Sequence, residues 1–187
     1  GYSVQSAFFD YDLDGDLDMY LLNHPEPKFK AKKAVAHMKD IKEGNIQTDV
    51  FFENINGKFV DKSREANLVN FGFRHGIAIG DLNRDGYPDL YISSDFEEPD
   101  VLCINNKNKT FTNKIDEYLP HISFNSMGNE MIDINNDGLL DLFVVDMAPD
   151  DHFRSKAYMK SMNVEKFNGL KNAGYHSQYM FNTLHLN

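Results

Sequence analysis

The sequence predicts an all-β protein that is built from repeated units of four antiparallel strands. Three observations support this fold class: an acidic loop occurs three times, short apolar segments flank each copy, and a turn between two further apolar segments follows the first two copies. The loops begin at Asp10, Asp81 and Asp133, so they start 71 residues (10 to 81) and 52 residues (81 to 133) apart. Short apolar segments with β-branched or aromatic residues between turn signals are typical of strands.

Each acidic loop lies between two predicted strands. The strand before the loop is predicted at residues 7–9, 76–79 and 130–132, and the strand after it at residues 19–22, 90–92 and 142–145. These segments are too short for helices, and their β-branched and aromatic content favours strands. The sequence therefore predicts that the loops are strand-to-strand turns.

A second pair of strands completes each unit. The predicted third and fourth strands are residues 49–53 and 58–60 in the first unit, residues 101–104 and 110–112 in the second, and residues 179–187 in an incomplete third. Asn56–Gly57 is a strong signal for the turn of a hairpin. Leu184 and Leu186 align with Leu102 and Ile104, which places the end of the chain in a third strand.

Two units carry an insertion between their second and third strands. Residues 28–44 include six lysines and predict a short amphipathic surface helix, and residues 146–178 form the longer insertion. Because strands reverse direction at each turn, both insertions should emerge at the end of the unit opposite the acidic loop. Insertions that gather on one face of a repeat protein usually mark its binding face.

The acidic loops have the composition of calcium sites. Each places oxygen-bearing side chains at positions 1, 3, 5 and 9 and glycine at position 6, and position 7 would contribute its backbone carbonyl. We call residues 10–18, 81–89 and 133–141 loops 1, 2 and 3. The predicted ligands of about three calcium ions are Asp10, Asp12, Asp14, Asp16, Asp18, Asp81, Asn83, Asp85, Tyr87, Asp89, Asp133, Asn135, Asp137, Leu139 and Asp141.

Two other interpretations of the loops are less consistent with the sequence. An EF-hand requires glutamate at position 12, where this chain has Leu21, Ile92 and Val144. Asp, Asn and Gly also form turns without a metal, but three copies with the same four oxygen positions favour a cation. Loop 1 has one more carboxylate at its ligand positions than loops 2 and 3, so we expect it to bind calcium most tightly.

Composition narrows the class of protein. The chain has 187 residues, is 41% hydrophobic and carries a formal net charge of −10, which argues against nucleic acid or an anionic membrane as partner. Eleven of its 29 acidic residues lie in the three loops, so three divalent cations would reduce the net charge to −4. No apolar run is long enough to span a membrane, and Cys103 is expected to be a core residue.

A four-stranded antiparallel unit with a period near fifty residues is typical of a β-propeller blade. The expected units are residues 1–70, 71–122 and 123–187, and together they form a partial propeller over residues 1–187. Propellers have at least four blades. We therefore expect the sequence to be part of a longer chain.

The repeats resemble the FG-GAP or VCBS repeat family, the calcium-binding β-propellers that include the integrin α-subunit head and cartilage acidic protein. The resemblance is carried by residues 9–20, 80–91 and 133–143, and by the hairpin at residues 56–61. Residues 145–149, 178–180 and 182–184 look more particularly like large surface or secreted VCBS proteins of the Bacteroidota. The resemblance implies calcium, exposure outside the cytoplasm and a seven-bladed ring whose other blades lie outside this sequence.

The first functional hypothesis is a calcium-stabilised, non-enzymatic binding or scaffold module in a cell-surface or secreted complex. Its partner, a protein or a glycan, would contact the face opposite the calcium loops. The resemblance favours the bacterial outer-membrane surface, as a lipoprotein or as a subunit of an outer-membrane-associated complex. No nucleic acid and no membrane-spanning segment are expected.

The alternative hypothesis is part of a polysaccharide hydrolase or lyase. Asp146, Asp150 and Asp151 form the acidic cluster outside the loops, with His152 and Arg154 nearby, and pairs of carboxylates can act as acid and base. The histidines show no His-x-x-x-His spacing for zinc, and no Gly-x-Ser-x-Gly motif for a serine hydrolase occurs. A solvated surface loop is the simpler interpretation of the cluster.

Overall fold

The computed structural model describes residues 2–25, 48–95, 98–149, 151, 153–154 and 164–187. The strands are β1 (Tyr2–Phe9), β2 (Asp18–His24), β3 (Val50–Ile55), β4 (Lys58–Asp61), β5 (Phe73–Gly80), β6 (Asp89–Asp95), β7 (Val101–Asn105), β8 (Phe111–Asn113), β9 (Ile122–Ser123), β10 (Ser126–Ile132), β11 (Asp141–Asp146), β12 (Gln178–Tyr179) and β13 (Thr183–His185). The helices are α1 (Ile115–Tyr118) and α2 (Val164–Asn172). The predicted all-β class is confirmed. The helix predicted at residues 28–44 lies outside the described residues.

Eleven of the described strands form three antiparallel sheets in chain order, and β9 and β12 form a separate parallel pair. The first sheet has the order β1-β2-β3-β4, the second β5-β6-β7-β8 and the third β10-β11-β13. The described strands thus form separate open sheets, which are compatible with blades of a propeller. In each sheet the first strand carries a register irregularity at the same distance before its loop, at Ser3/Gln5, Arg74/Gly76 and Ser126/Gly128. The units therefore repeat in backbone detail as well as in strand order.

The third sheet confirms one alignment and corrects another. Phe143 pairs with Leu184 as Tyr91 pairs with Leu102, so the predicted alignment of Leu184 with Leu102 holds. Tyr179, predicted to begin the same strand, instead belongs to β12, which pairs in parallel with β9. The chain turns between β12 and β13, where the Phe181 N–H donates to the Tyr179 carbonyl (3.1 Å). This turn separates the two strands and redirects β12 to the segment before β10.

The second sheet is buried on both faces because it lies between the other two. Ile77, Leu90 and Cys103 belong to one core cluster with residues of the first sheet. Tyr91 and Leu102 point to the other face and join a cluster with residues of the third sheet. Side chains alternate between the two faces along a strand, so all residues of β6 are buried. Among the described residues, no helix is both long enough and apolar enough to cross a membrane.

Candidate metal centre

The three acidic loops share one backbone conformation. In each loop the carboxylate at position 1 accepts hydrogen bonds from the backbone N–H groups of positions 5 and 6, at 2.8 to 3.1 Å. The glycine at position 6 has a φ of +94°, +90° and +83° in loops 1, 2 and 3, a left-handed conformation that strains residues with a side chain. Position 4 is also left-handed, and its occupants are Leu13, Arg84 and Asn136. The position 1 carboxylate therefore closes each loop around a tight turn.

The carboxylate at position 5 holds the backbone of position 7. Asp14, Asp85 and Asp137 accept the position 7 N–H at 3.1, 3.0 and 2.8 Å. These bonds involve only the backbone of position 7. Residue types as different as Asp, Tyr and Leu therefore fit there, at Asp16, Tyr87 and Leu139.

The aspartate at position 9 is the most deeply buried member of each loop, with 1%, 0% and 0% of Asp18, Asp89 and Asp141 exposed. Its Oδ2 accepts the N–H of position 2 at 3.0 to 3.1 Å. Its Oδ1 accepts the N–H of an asparagine on or after the third strand, at 2.8 to 3.0 Å. Burial raises the pKa of Asp18 and Asp89 to about 6. A neighbouring cation would favour the ionised form of these carboxyls.

Loop 1 brings three predicted ligands together. Asp10, Asp12 and Asp18 each place one carboxylate oxygen within 4.8 Å of the others. Calcium binds oxygen at 2.3–2.6 Å, so two oxygens on one ion lie at most about 5 Å apart, and these three residues fit a single ion. Oδ1 of Asp12 and Oδ1 of Asp16 are buried without a hydrogen-bond partner. Asp14 is not in the group of three, and its Oδ1 accepts the Asp16 N–H.

Loops 2 and 3 differ from loop 1 at position 3, where they carry asparagine. The side-chain amides of Asn83 and Asn135 donate to the position 5 carboxylates of their loops at 3.0 and 2.8 Å. Their Oδ1 atoms accept the N–H of position 5 at 3.1 and 3.0 Å. Position 3 of these loops is therefore oriented from within the loop. Among the described residues, a group of three carboxylates close enough for one ion is found only in loop 1.

Neighbouring loops are connected by asparagines that the sequence analysis did not select as site residues. The side-chain amide of Asn105 donates to the Tyr11 carbonyl in loop 1 at 2.8 Å, and its N–H donates to Asp89 of loop 2 at 2.9 Å. Asn187 repeats this arrangement, because its amide donates to the Leu82 carbonyl in loop 2 at 2.7 Å. The signal available in the sequence was an Asn three residues after the third-strand residues Phe51, Leu102 and Leu184, which pair with the second strands. These asparagines are Asn54, Asn105 and Asn187.

Buried acids that the sequence pattern did not predict also lie at the opposite end of the sheets. Asp49 accepts from the Tyr20 hydroxyl (3.3 Å), and Asp100 accepts from the Tyr91 hydroxyl (2.5 Å). Burial raises the pKa of both carboxyls to about 6. Both carboxylates also contact a side chain of the next sheet. Arg74 Nε lies 3.5 Å from Asp49, and the Ser126 hydroxyl donates to Asp100 at 2.6 Å.

The third sheet replaces both members of this pair. Phe143 stands where the other sheets have tyrosine, and Asn182 stands where they have aspartate. The Asn182 Oδ1 accepts the Asp146 N–H at 2.8 Å, as Asp100 accepts the Ser94 N–H at 2.7 Å. Without a hydroxyl donor, a neutral amide is sufficient as acceptor.

The acidic segment of the enzymatic hypothesis is structural where it is described. The Asp146 carboxylate accepts hydrogen bonds from the Ser123 hydroxyl and from the N–H groups of Phe124, Asn125 and Ala148. Asp151 lies 3.2 Å from Arg154 Nε. Asp150 and His152 lie outside the described residues. Asp146 is thus fully used as an acceptor within the fold.

Comparison with known proteins agrees with the repeat geometry. Residues 81–144 match the FG-GAP-like repeat family, a range that contains loops 2 and 3. No curated protein matches the chain significantly. The match supports the FG-GAP family, and the four-stranded antiparallel sheets are compatible with the propeller blades that such repeats form.

Proposed function

We propose that this chain is part of a calcium-stabilised, extracellular β-propeller that acts as a non-enzymatic binding or scaffold module. The observation that carries the proposal is the threefold recurrence of one loop conformation with oxygen side chains at the same four positions. FG-GAP repeats are typical of binding modules and of extracellular proteins. The chain would supply about three blades, at residues 1–70, 71–122 and 123–187, to a larger ring.

Calcium would supply positive charge between the first two strands of each sheet. In loop 1 the ion would be held by Asp10, Asp12 and Asp18, with Asp14 and the carbonyl of Asp16 as further ligands. In loops 2 and 3 the residues at the same positions would hold it. The chain contributes a preformed turn, because position 1 and glycine fix the loop, and a buried carboxylate at position 9. Neutralising these carboxylates would remove repulsion that the metal-free loops retain.

Chelation tests the calcium role. At a free calcium concentration of 100 times Kd, each site would add about 2.7 kcal/mol to the free energy of unfolding. One kcal/mol shifts Tm by about 2–4 °C in a protein of this size, so EDTA should lower Tm by more than about 10 °C. Asp81→Asn should reduce the increase in Tm that calcium produces, whereas the exposed control Glu117→Gln should not. Equal melting temperatures in calcium and EDTA would refute the calcium role.

The proposed partner-binding surface lies at the end of the third sheet opposite loop 3. Tyr179 and Phe181 are stacked with ring centroids 5.6 Å apart, and 41% and 45% of them are exposed. Phe167 of α2 and His121 contact Tyr179 at 5.4 and 5.6 Å. Exposed aromatic rings are frequent anchors at binding surfaces. A protein or glycan at a cell surface, and in particular at the bacterial outer membrane, would contact them.

A glycan panel separates binding from catalysis. The proposal predicts that any glycan ligand is bound but not cleaved, and that Tyr179→Ala weakens binding more than the matched change Tyr118→Ala, which removes another exposed tyrosine. Turnover that is lost in an Asp150→Ala variant would instead establish the enzymatic alternative.

A further inference from the structure

A lysine from the second sheet lies against loop 1 of the first. Lys109 Nζ is 2.6 Å from Asp12 Oδ2 and 2.6 Å from Glu53 Oε1. Both carboxylates are nearly enclosed, with 7% and 12% of their side chains exposed. The Lys109 side chain itself is 56% exposed, so solvent screens part of this charge-assisted interaction. Lys109 is therefore part of the surroundings of loop 1, although it belongs to the turn between β7 and β8.

The backbone at Lys109 is in an unfavourable conformation for a lysine. Its φ is +67°, within the left-handed region that glycine adopts without strain. The local structure alone would favour glycine or asparagine at this position. Lysine is accommodated here with a side chain that reaches two carboxylates of the neighbouring sheet, which is consistent with a role for its charge.

Loop 1 carries more negative charge than loops 2 and 3, and Lys109 lies beside it. Loop 1 has four carboxylates at positions 1, 3, 5 and 9, whereas loops 2 and 3 have three and an asparagine. The asparagines are oriented from within their loops. Asp12 has no amide group with which to make such a bond, and Lys109 lies beside it instead. Adding the lysine charge brings the four ligand positions of loop 1 from −4 to −3. In loop 2, Lys107 Nζ lies at a longer distance, 3.4 Å, from Asp85 Oδ2.

We infer that Lys109 is the counter-cation of Asp12 and lowers the affinity of loop 1 for a hard divalent cation. The inference rests on the calcium role proposed above. Calcium affinity in oxygen-ligand sites depends on the number of ligand charges. The carboxylate that sets loop 1 apart in the sequence would thus be offset by a residue of the adjacent sheet. This inference differs from the expectation that loop 1 binds calcium most tightly, which stays a prediction.

The test compares two substitutions at Lys109 in the intact protein, by calcium calorimetry at fixed ionic strength. Lys109→Gln removes the charge and keeps a hydrogen-bond donor, and it should raise the affinity of one site about tenfold. Lys109→Arg keeps the charge and should change the affinity less than about twofold. Lys62→Gln is the matched control, because Lys62 lines a surface cavity together with Lys109 and Glu53 but pairs with Glu65. It should leave the affinity unchanged.

A double-mutant cycle assigns the effect to loop 1. In an Asp12→Asn background, Lys109→Gln should change calcium affinity less than about twofold, because the charge that it balances is gone. In EDTA, Lys109→Gln alone should melt several degrees below the wild type, because two enclosed carboxylates lose their counter-charge. An unchanged or lower calcium affinity for Lys109→Gln would overturn the inference while leaving the calcium role intact. A wild-type protein that binds no calcium would overturn both.

Discussion

The side-chain amide of Asn105 donates a 2.8 Å hydrogen bond to the backbone carbonyl of Tyr11, which is 94 residues earlier in the chain. Asn105 is buried, and its own N–H donates to Asp89. One residue thus connects position 2 of loop 1 with position 9 of loop 2. Asn187 makes the same connection between loops 2 and 3. The loops are joined across the sheet interfaces by these asparagines.

Truncation of Asn105 should destabilise the fold. Asn105→Ala leaves the Tyr11 carbonyl without its asparagine donor in a buried place, and such a loss costs about 1–3 kcal/mol. Urea unfolding should show this as a lower midpoint with an unchanged slope. The neighbouring exposed Asn106, which bonds within its own turn, provides the control. An Asn105→Ala variant as stable as Asn106→Ala would show that the connection contributes nothing.

The glycine of each loop should not tolerate a side chain. Gly86 has a φ of +90°, so Gly86→Ala should cost about 1–2 kcal/mol, even though no atom beyond the adjacent residues lies within 4 Å of the added methyl group. Gly169 in α2 also has open space around it, and Gly169→Ala should be neutral or stabilise by up to about 1 kcal/mol, because alanine favours helices. Thermal unfolding should give a lower Tm for Gly86→Ala and an unchanged or higher Tm for Gly169→Ala. Equal effects at the two glycines would contradict the strained conformation of the loop.

Asp100 should make stability depend on pH. Its folded-state pKa is raised from 3.8 to about 6 by burial, so the folded state favours the protonated carboxyl. The contribution of this group is full below about pH 4 and is lost as the pH rises to about 6. The wild type loses this contribution as the pH rises, and Asp100→Asn does not. Between pH 4 and 7, the difference between their free energies of unfolding should therefore shift in favour of the variant by roughly 1–3 kcal/mol. Urea unfolding across this range measures the difference, and a constant difference would contradict the raised pKa.

The third sheet suggests how Asp100 and its tyrosine depend on each other. Tyr91→Phe and Asp100→Asn together recreate the pair Phe143 and Asn182. Each single change disturbs the bond between the two side chains, so the double variant should lose less stability than the two single losses combined, by about 1 kcal/mol. Strict additivity of the unfolding free energies would show that the two positions are independent.

The sequence predicted those features that depend on residues close to one another in the chain. The turn at Gly15, the flanking strands and the hairpin at Asn56–Gly57 follow from local conformational preferences and from the period of the pattern. The alignment of Leu184 with Leu102 followed from the repeat. These predictions needed no knowledge of how the sheets face one another.

Features that depend on contact between sheets could not be predicted in this way. Lys109 looks like an ordinary turn lysine until the second sheet is placed beside loop 1, and Asp49 and Asp100 look like solvated acids before a strand. The parallel pairing of Gln178–Tyr179 with Ile122–Ser123 joins the end of the second insertion to the segment before β10. Each of these features depends on contacts that the local sequence pattern does not encode.

The most direct test of the central claim is a crystal structure of the protein grown at saturating calcium. We predict one ion in each loop, bound by the oxygens of positions 1, 3, 5 and 9 and by the carbonyl of position 7, at the 2.3–2.6 Å typical of calcium. Loops 1, 2 and 3 without bound ions under these conditions would contradict this prediction.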